Sequence, residues 1–129
     1  MNKTILIVED NPANLMLATT VLEHAGYQVL SSETAADAIA KAMTEMPRLI
    51  LMDIQLPGMS GLDATRQLKA EPATAGIPVI ALTAFAMKGD DERILEAGCD
   101  GYIPKPFNYK DLLARVATMI GGAQEAPSP

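Results

Sequence analysis

Short, unbroken apolar runs recur along the chain, and a stretch with helical periodicity separates each from the next. TILIV at 4–8, LILM at 49–52 and VIAL at 79–82 hold scarcely a polar residue. A strand with one wet face alternates apolar and polar residues, so runs of this kind read as strands covered on both faces. YQVLS at 27–31 is more mixed and reads as an edge strand, and YIP at 102–104 is the fifth candidate. Residues 12–25 read as a helix, with Pro12 early, where its missing N–H costs nothing, and Gly26 just past the end. An Ala-rich helix at 34–46 stops at Pro47, another at 62–71 stops at Pro72, and patterns at 89–97 and 109–120 complete the set. The order βαβαβαβαβα points to an α/β fold with a parallel sheet. Right-handed crossovers favour a doubly wound, three-layer αβα sandwich.

With 129 residues the chain suits one domain, expected over 1–120, followed by a disordered tail at 121–129 (GGAQEAPSP) that has no periodicity. Apolar residues make up 49% and aromatics only 4%, so the core is expected to be aliphatic. A net charge of −6 argues against a basic face for nucleic acid. No apolar run is long enough to span a bilayer, and Glu9 and Asp10 interrupt the first one too early for a signal peptide. Cys99 is the single cysteine, which excludes an internal disulfide and suits a reducing cytoplasm, where it reads as a small buried hydrophobe.

In the first helix, 100° per residue places Asn14, Leu17, Ala18, Val21 and Ala25 on one inward stripe, with Leu15 and Leu22 at its edge. Met16 falls nearly opposite, beside Thr20 and Glu23. Two readings stand: ordinary packing with a stray exposed Met, or a docking face for a partner's helices. His24, the only histidine, sits at the helix end, where a cation suits the dipole.

In a parallel sheet the residues that end the strands gather on one rim, where ligands bind. Glu9 and Asp10 follow TILIV, Asp53 follows LILM, Thr83 and Ala84 follow VIAL, and Lys105 and Pro106 follow YIP. Three carboxylates, a hydroxyl and an ammonium therefore meet there. Two carboxylates ~4 Å apart repel by about 4 kcal/mol at an effective dielectric of ~20. A cation relieves this, and oxygen-only ligation points to Mg²⁺ rather than zinc. One carboxylate is then available as a nucleophile toward phosphorus. Asp53 could instead cap the next helix, but Pro57 and Gly58 stand between. Glu9 and Asp10 could cap the first helix, although Asn11, directly before Pro12, suits that role.

These positions resemble a bacterial response-regulator receiver domain of two-component systems. The match comprises Glu9-Asp10, Asp53, Pro57-Gly58-Met59-Ser60-Gly61, Thr83-Ala84 and Lys105-Pro106, in order and each at a strand end, over roughly residues 3 to 120. The segments LTAFAMKGDD at 82–91 and GCDGY at 98–102 further resemble single-domain regulators of the DivK type. The resemblance implies a flavodoxin-like strand order 2-1-3-4-5. It makes Asp53 the phosphoacceptor, with Glu9, Asp10, Asp53 and the Gln55 backbone carbonyl as the Mg²⁺ set. Lys105 would pair with the phosphoryl group, Ala84 would touch it through its backbone, Thr83 and Tyr102 would form the switch pair, and Pro106 would follow a cis peptide. Expected partners are a histidine kinase or a histidine phosphotransfer protein and a downstream protein, with no nucleic acid and no membrane. The chain would be a signalling domain that catalyses only its own phosphorylation and dephosphorylation.

Three rivals are weighed. A small aspartyl-phosphate-type phosphatase places a general acid two residues after the nucleophile, where this chain has Gln55. A flavin carrier needs a phosphate-binding loop after the first strand, where EDNPAN is acidic. A receiver cut from a hybrid histidine kinase shares every site residue.

Overall fold

The computed structural model describes residues 3–56, 58–83, 90–105 and 108–120, with the side chains of residues 90 and 91 left aside. The apolar runs form strands β1 (Thr4–Val8), β2 (Gln28–Ser32), β3 (Leu49–Asp53), β4 (Val79–Thr83) and β5 (Gly101–Pro104). All neighbouring pairs are parallel, in the order β2-β1-β3-β4-β5. Helices α1 (Pro12–His24), α2 (Ala35–Glu45), α3 (Gly61–Ala70), α4 (Asp90–Glu96) and α5 (Tyr109–Ile120) connect and follow them.

Side chains alternate across a strand, so one apolar run serves two cores. Leu6, Val8, Ile50, Met52, Val79 and Ala81 face α2, α3 and α4, where Ala38, Leu68 and Ile94 meet them. Ile5, Ile7, Leu49, Leu51, Ile80 and Leu82 face α1 and α5, meeting Leu22, Leu112 and Val116. Each large aliphatic side chain so buried stabilises the fold by about 1.5–3 kcal/mol before entropy is counted. β1, β3 and β4 have no wet face, so they cannot slip register without exposing an entire row. Both sheet edges are blunted. Lys41 on α2 donates to the Ser31 carbonyl of β2, and Pro104 on β5 has no N–H to offer.

The helix starts follow local chemistry. Asn11 caps α1 by accepting from the Asn14 N–H at 3.0 Å. Thr34 caps α2 through the Asp37 N–H at 3.1 Å, and Ser60 caps α3 through the Asp63 N–H at 3.2 Å. Gly26, just past α1, adopts φ +101°, the left-handed conformation expected there.

The inward stripe of α1 differs from the one read from spacing. Ala18 and Leu22 are buried, Leu15 and Val21 half-buried, Leu17 is 49% exposed, and Ala25 is exposed as well. The helix is turned by roughly 60° from the expected phase. α1 touches both the sheet and α5, and its apolar residues run nearly all round, so spacing alone left its rotation undetermined. Smaller shifts occur at ends: β2 begins at Gln28 rather than Tyr27, and Asp53 and Thr83 are the last residues of their strands rather than the first beyond them. The expected tail at 121–129 and the start of the fourth helix at Gly89 lie outside the described residues.

α2 ends on Met46, which holds φ 49° and ψ 60°, the left-handed region that costs a residue with a Cβ about 1–2 kcal/mol. Its side chain is 41% exposed and so returns little packing. Met46→Gly is expected to raise stability by roughly 0.5–1 kcal/mol, the glycine's extra unfolded-state entropy offsetting part of the gain. A urea midpoint that rises at constant slope checks it; a lower midpoint counts against it.

Candidate functional site

Backbone pairing carries each strand end to the same rim. The Glu9 N–H donates to Ser32 O at 3.0 Å, Ile54 N–H to Leu82 O at 3.2 Å, and Lys105 N–H to Thr83 O at 2.6 Å. Hydrogen bonding thus extends one residue past β1, β3 and β5, so the side chains at 9, 53 and 105 issue from fixed backbone. Glu9 is 1% exposed, Asp53 3% and Thr83 0%, whereas Asp10 faces solvent.

A buried carboxylate needs partners, and those of the two buried acids share one cation. Lys105 Nζ lies 2.7 Å from Glu9 Oε1 and 3.2 Å from Asp53 Oδ2. The second oxygen of each acid accepts a backbone N–H: Asn11 to Glu9 Oε2 at 3.1 Å, and Gln55 to Asp53 Oδ1 at 2.9 Å. Asp53 therefore ends a buried strand without capping a helix; its four-atom side chain is held at both oxygens for use at the rim.

Ligand atoms of Glu9, Asp10 and Asp53 all lie within 4.8 Å of one another. Three carboxylates against one ammonium leave the site net negative. The donors are hard oxygens, and one acid faces solvent, where hydrated cations arrive. This set fits Mg²⁺, which takes one or two carboxylates and keeps several waters.

The expected residues Glu9, Asp10, Asp53 and Lys105 come together. Thr83 is fully buried at the end of β4, beside Asp53's strand and bonded through its carbonyl to Lys105. Tyr102 sits opposite Ala81, one pleat repeat below the Thr83–Pro104 pair, half-buried against the core on the α2–α4 side. Ala84, Phe85, Met87, Lys88 and Pro106 lie outside the described residues. Cys99 is buried as expected, 3.8 Å from Thr65 Oγ1, and burial pushes its thiol pKa up. Sequence reading assigns Gln55 only a carbonyl role, and the structure adds its N–H; no side-chain type signals a backbone donor.

Burial raises the Glu9 pKa, helped by neighbouring Asp53, against the opposing pull of Lys105 and the Asn11 N–H. For Lys105, burial alone would lower the pKa, but the hydrogen bond to Glu9 and the charge of Asp53 prevail and raise it. A carboxyl raised above its unfolded value binds more protons in the folded state, so its contribution to stability falls as pH rises through that window. The ionised Glu9 therefore costs stability at neutral pH. Lys105 has the opposite consequence: its stabilisation is complete below the unfolded lysine pKa and is lost only as pH climbs through its raised folded value. The metal-free Glu9→Gln variant should match wild type at acid pH, where Glu9 is protonated folded or unfolded, and surpass it as pH rises above the ordinary glutamate range. Denaturant titrations of both proteins across that range check this, and a constant difference would contradict it.

Comparison with known proteins agrees with this geometry. The profile of the response regulator receiver domain matches residues 5–117. The polar-differentiation response regulator DivK of Brucella ovis is 44% identical over 123 residues, which is 95% of this chain and 100% of that protein. A crystal structure of a putative response regulator from Chloroflexus aurantiacus superposes with a TM-score of 0.89 at 28% identity, over 94% of this chain and 99% of the other. The receiver domain of a sensor histidine kinase from Pseudomonas aeruginosa, solved with a magnesium ion coordinated in its active site cleft, gives 0.87 at 37% identity over 94% and 99%. A doubly wound sheet that gathers three acids and one lysine at a single rim, matched along nearly its whole length by these relatives, places this chain in the response regulator receiver domain family.

Proposed function

We propose that this chain is a single-domain response regulator of the DivK kind, switched by phosphorylation of Asp53. The observation that carries the reading is the Lys105 ammonium shared between Glu9 and Asp53, beside a third carboxylate. Asp53 is the nucleophile: a carboxylate oxygen forms a bond to phosphorus as the bond to the donor breaks, and the leaving group keeps the electron pair. That donor is the phosphohistidine of a histidine kinase or phosphotransfer protein. The Gln55 N–H fixes the rotation of the Asp53 carboxylate, so attack needs little reorganisation. Lys105 pairs with a phosphoryl oxygen once it releases Glu9. Mg²⁺, held by Asp10, Asp53, the Gln55 carbonyl and, directly or through water, Glu9, supplies charge compensation for the transferred group when bound.

Phosphorylation adds roughly −1.5 to −2 charges at one point. The Thr83 hydroxyl turns to the phosphoryl oxygen, the Ala84 backbone contacts it, and Tyr102 moves into the space released. Two conformations differing by a few kcal/mol suffice for such a shift. The output is altered binding to a downstream protein. For phosphodonor docking, α1 offers Met16, 70% exposed, beside Leu17 near the acidic rim. The setting is the cytoplasm. Among the described residues, no helix is long and apolar enough to cross a membrane.

The 37% identity to a kinase-borne receiver favours a second reading, a receiver that works inside a hybrid kinase. The full-length match to a DivK regulator favours the first. A phosphatase reading fares worse, because the position of its general acid holds Gln55, whose backbone N–H already serves Asp53.

Incubation with acetyl phosphate and Mg²⁺ should add one phosphoryl group per chain, read by intact mass. Asp53→Ala should stay unlabelled, and chelation of the metal should abolish labelling. Lys105→Met should bind Mg²⁺ at least as tightly, since a competing cation is gone, but label about 10²-fold more slowly, the cost of one lost charge-stabilising donor. Equal labelling of Asp53→Ala would overturn the assignment.

A further inference from the structure

Behind Asp53 lies a contact that its chemistry does not explain. α3 begins at Gly61, and that residue is buried directly against the backbone that carries the carboxylate. A Cβ at position 61 would stand 2.1 Å from the Asp53 carbonyl oxygen, 2.7 Å from Ile54 Cα and 2.9 Å from the Asp53 carbonyl carbon. Every one of these atoms is backbone, so no side chain can step aside. Gly76 offers the contrast: a Cβ there meets nothing within 4 Å.

Both sides of the contact are held. On the α3 side, Leu62, Ala64 and Thr65 are buried in the core, and the Thr65 hydroxyl donates to Gly61 O at 2.8 Å. On the β3 side, Ile54 N–H bonds Leu82 O at 3.2 Å, and Ile54 O accepts the Gly61 N–H at 3.2 Å. The Asp53–Ile54 peptide is thus clamped between β4 and the first turn of α3. The Ile54 carbonyl held by Gly61 shares its peptide with the Gln55 N–H, which lies 2.9 Å from Asp53 Oδ1, while Oδ2 reaches Lys105 at 3.2 Å.

We propose that Gly61 is a positioning residue for Asp53: the bare α-carbon lets α3 brace the Asp53–Ile54 peptide, which aims the carboxylate at Lys105 and the metal position. The inference rests on the phosphoacceptor reading above. Any side chain at 61 must drive the helix and that peptide apart by about 1 Å, and a misplacement of this size at a reacting group costs about 10²-fold in rate.

The test compares Gly61→Ala, Leu68→Ala and Gly76→Ala with wild type, using acetyl phosphate labelling followed by intact mass, and Mg²⁺ titration calorimetry. Urea unfolding gives the folded fraction, so each rate is expressed per folded molecule. Leu68→Ala opens a cavity under α3 away from Asp53 and serves as the purely structural control. The expected result is a roughly 100-fold slower labelling and weaker Mg²⁺ affinity for Gly61→Ala, with both other variants at the wild-type rate. Wild-type rate and affinity in Gly61→Ala would overturn the inference alone. So would an equal fall in Leu68→Ala, since the rate would then follow stability rather than aim. If Gly61→Ala stays unfolded even in sucrose, which favours the compact state, its role is in holding the fold and the inference also fails. A wild-type protein that takes no label sinks the phosphoacceptor reading itself, a different outcome from all of these.

Discussion

One ammonium shared by two buried carboxylates governs this molecule. Burying an ion costs several kcal/mol, and removing one partner of a buried pair leaves an uncompensated charge. Lys105 therefore bridges the ends of β1, β3 and β5 through its side chain, beside the backbone hydrogen bonds that extend those strands. The arrangement is still deficient, because Asp10 adds a third carboxylate within 4.8 Å of the other two, and Glu9 keeps a raised pKa. A site so balanced is stable enough to fold and electrostatically short of a cation. That is what the proposed metal and phosphoryl centre would require.

The apolar strands are the counterpart of that deficit. Placing acids at the rim lowers stability, and the recovery comes from rows such as Ile5–Ile7 and Leu6–Val8, buried on opposite faces of one strand. Because β1, β3 and β4 have no solvent face, their register is fixed, and with it the level at which each side chain emerges. The Asp53–Leu82 and Thr83–Pro104 pairs place the end of Asp53's strand beside Thr83. The greasiness of the strand before Asp53 and the polarity of its tip are one design: the first supplies rigidity, the second chemistry.

This division explains what was legible in the sequence. The five strands, the five helices, their parallel order and the convergence of Glu9, Asp10, Asp53 and Lys105 all follow from apolar runs ending in polar residues, because period-two burial and strand polarity leave few alternatives. Asn11 as the cap of α1 is equally local, since Asn directly before Pro names a helix start. The phase of α1 was not legible. Its apolar residues surround the helix, and contact with α5 as well as the sheet chose the rotation that exposes Leu17. The left-handed Met46 carries no composition cue, because Gly or Asn is the usual occupant. The two contacts that aim Asp53, from the Gln55 N–H and the Gly61 backbone, involve main-chain atoms, which side-chain chemistry does not announce.

The stiffness of the sheet is uneven in a way that suits a switch. At the end away from the rim, Lys69 Nζ donates to Ile77 O at 2.8 Å and to Asp100 Oδ2 at 3.1 Å, while Asp100 Oδ2 also accepts the Val79 N–H at 2.8 Å. α3, the start of β4 and the turn before β5 are thereby tied into one unit. At the rim, β4 and β5 are joined beyond their last pair by the Lys105 N–H on Thr83 O, at the very residue whose side chain answers to Glu9 and Asp53. Under the proposed reading, a charge placed on Asp53 would draw the Lys105 ammonium, and the backbone N–H of that same lysine is bonded to Thr83 O, while the Lys69–Asp100 tie joins the strands at their far ends. Packed cores have discrete arrangements rather than continuous ones. On that same reading, a sheet tied through Lys69 and Asp100 at one end and through the Lys105–Thr83 bond at the other would respond at its rim, where a partner would meet it.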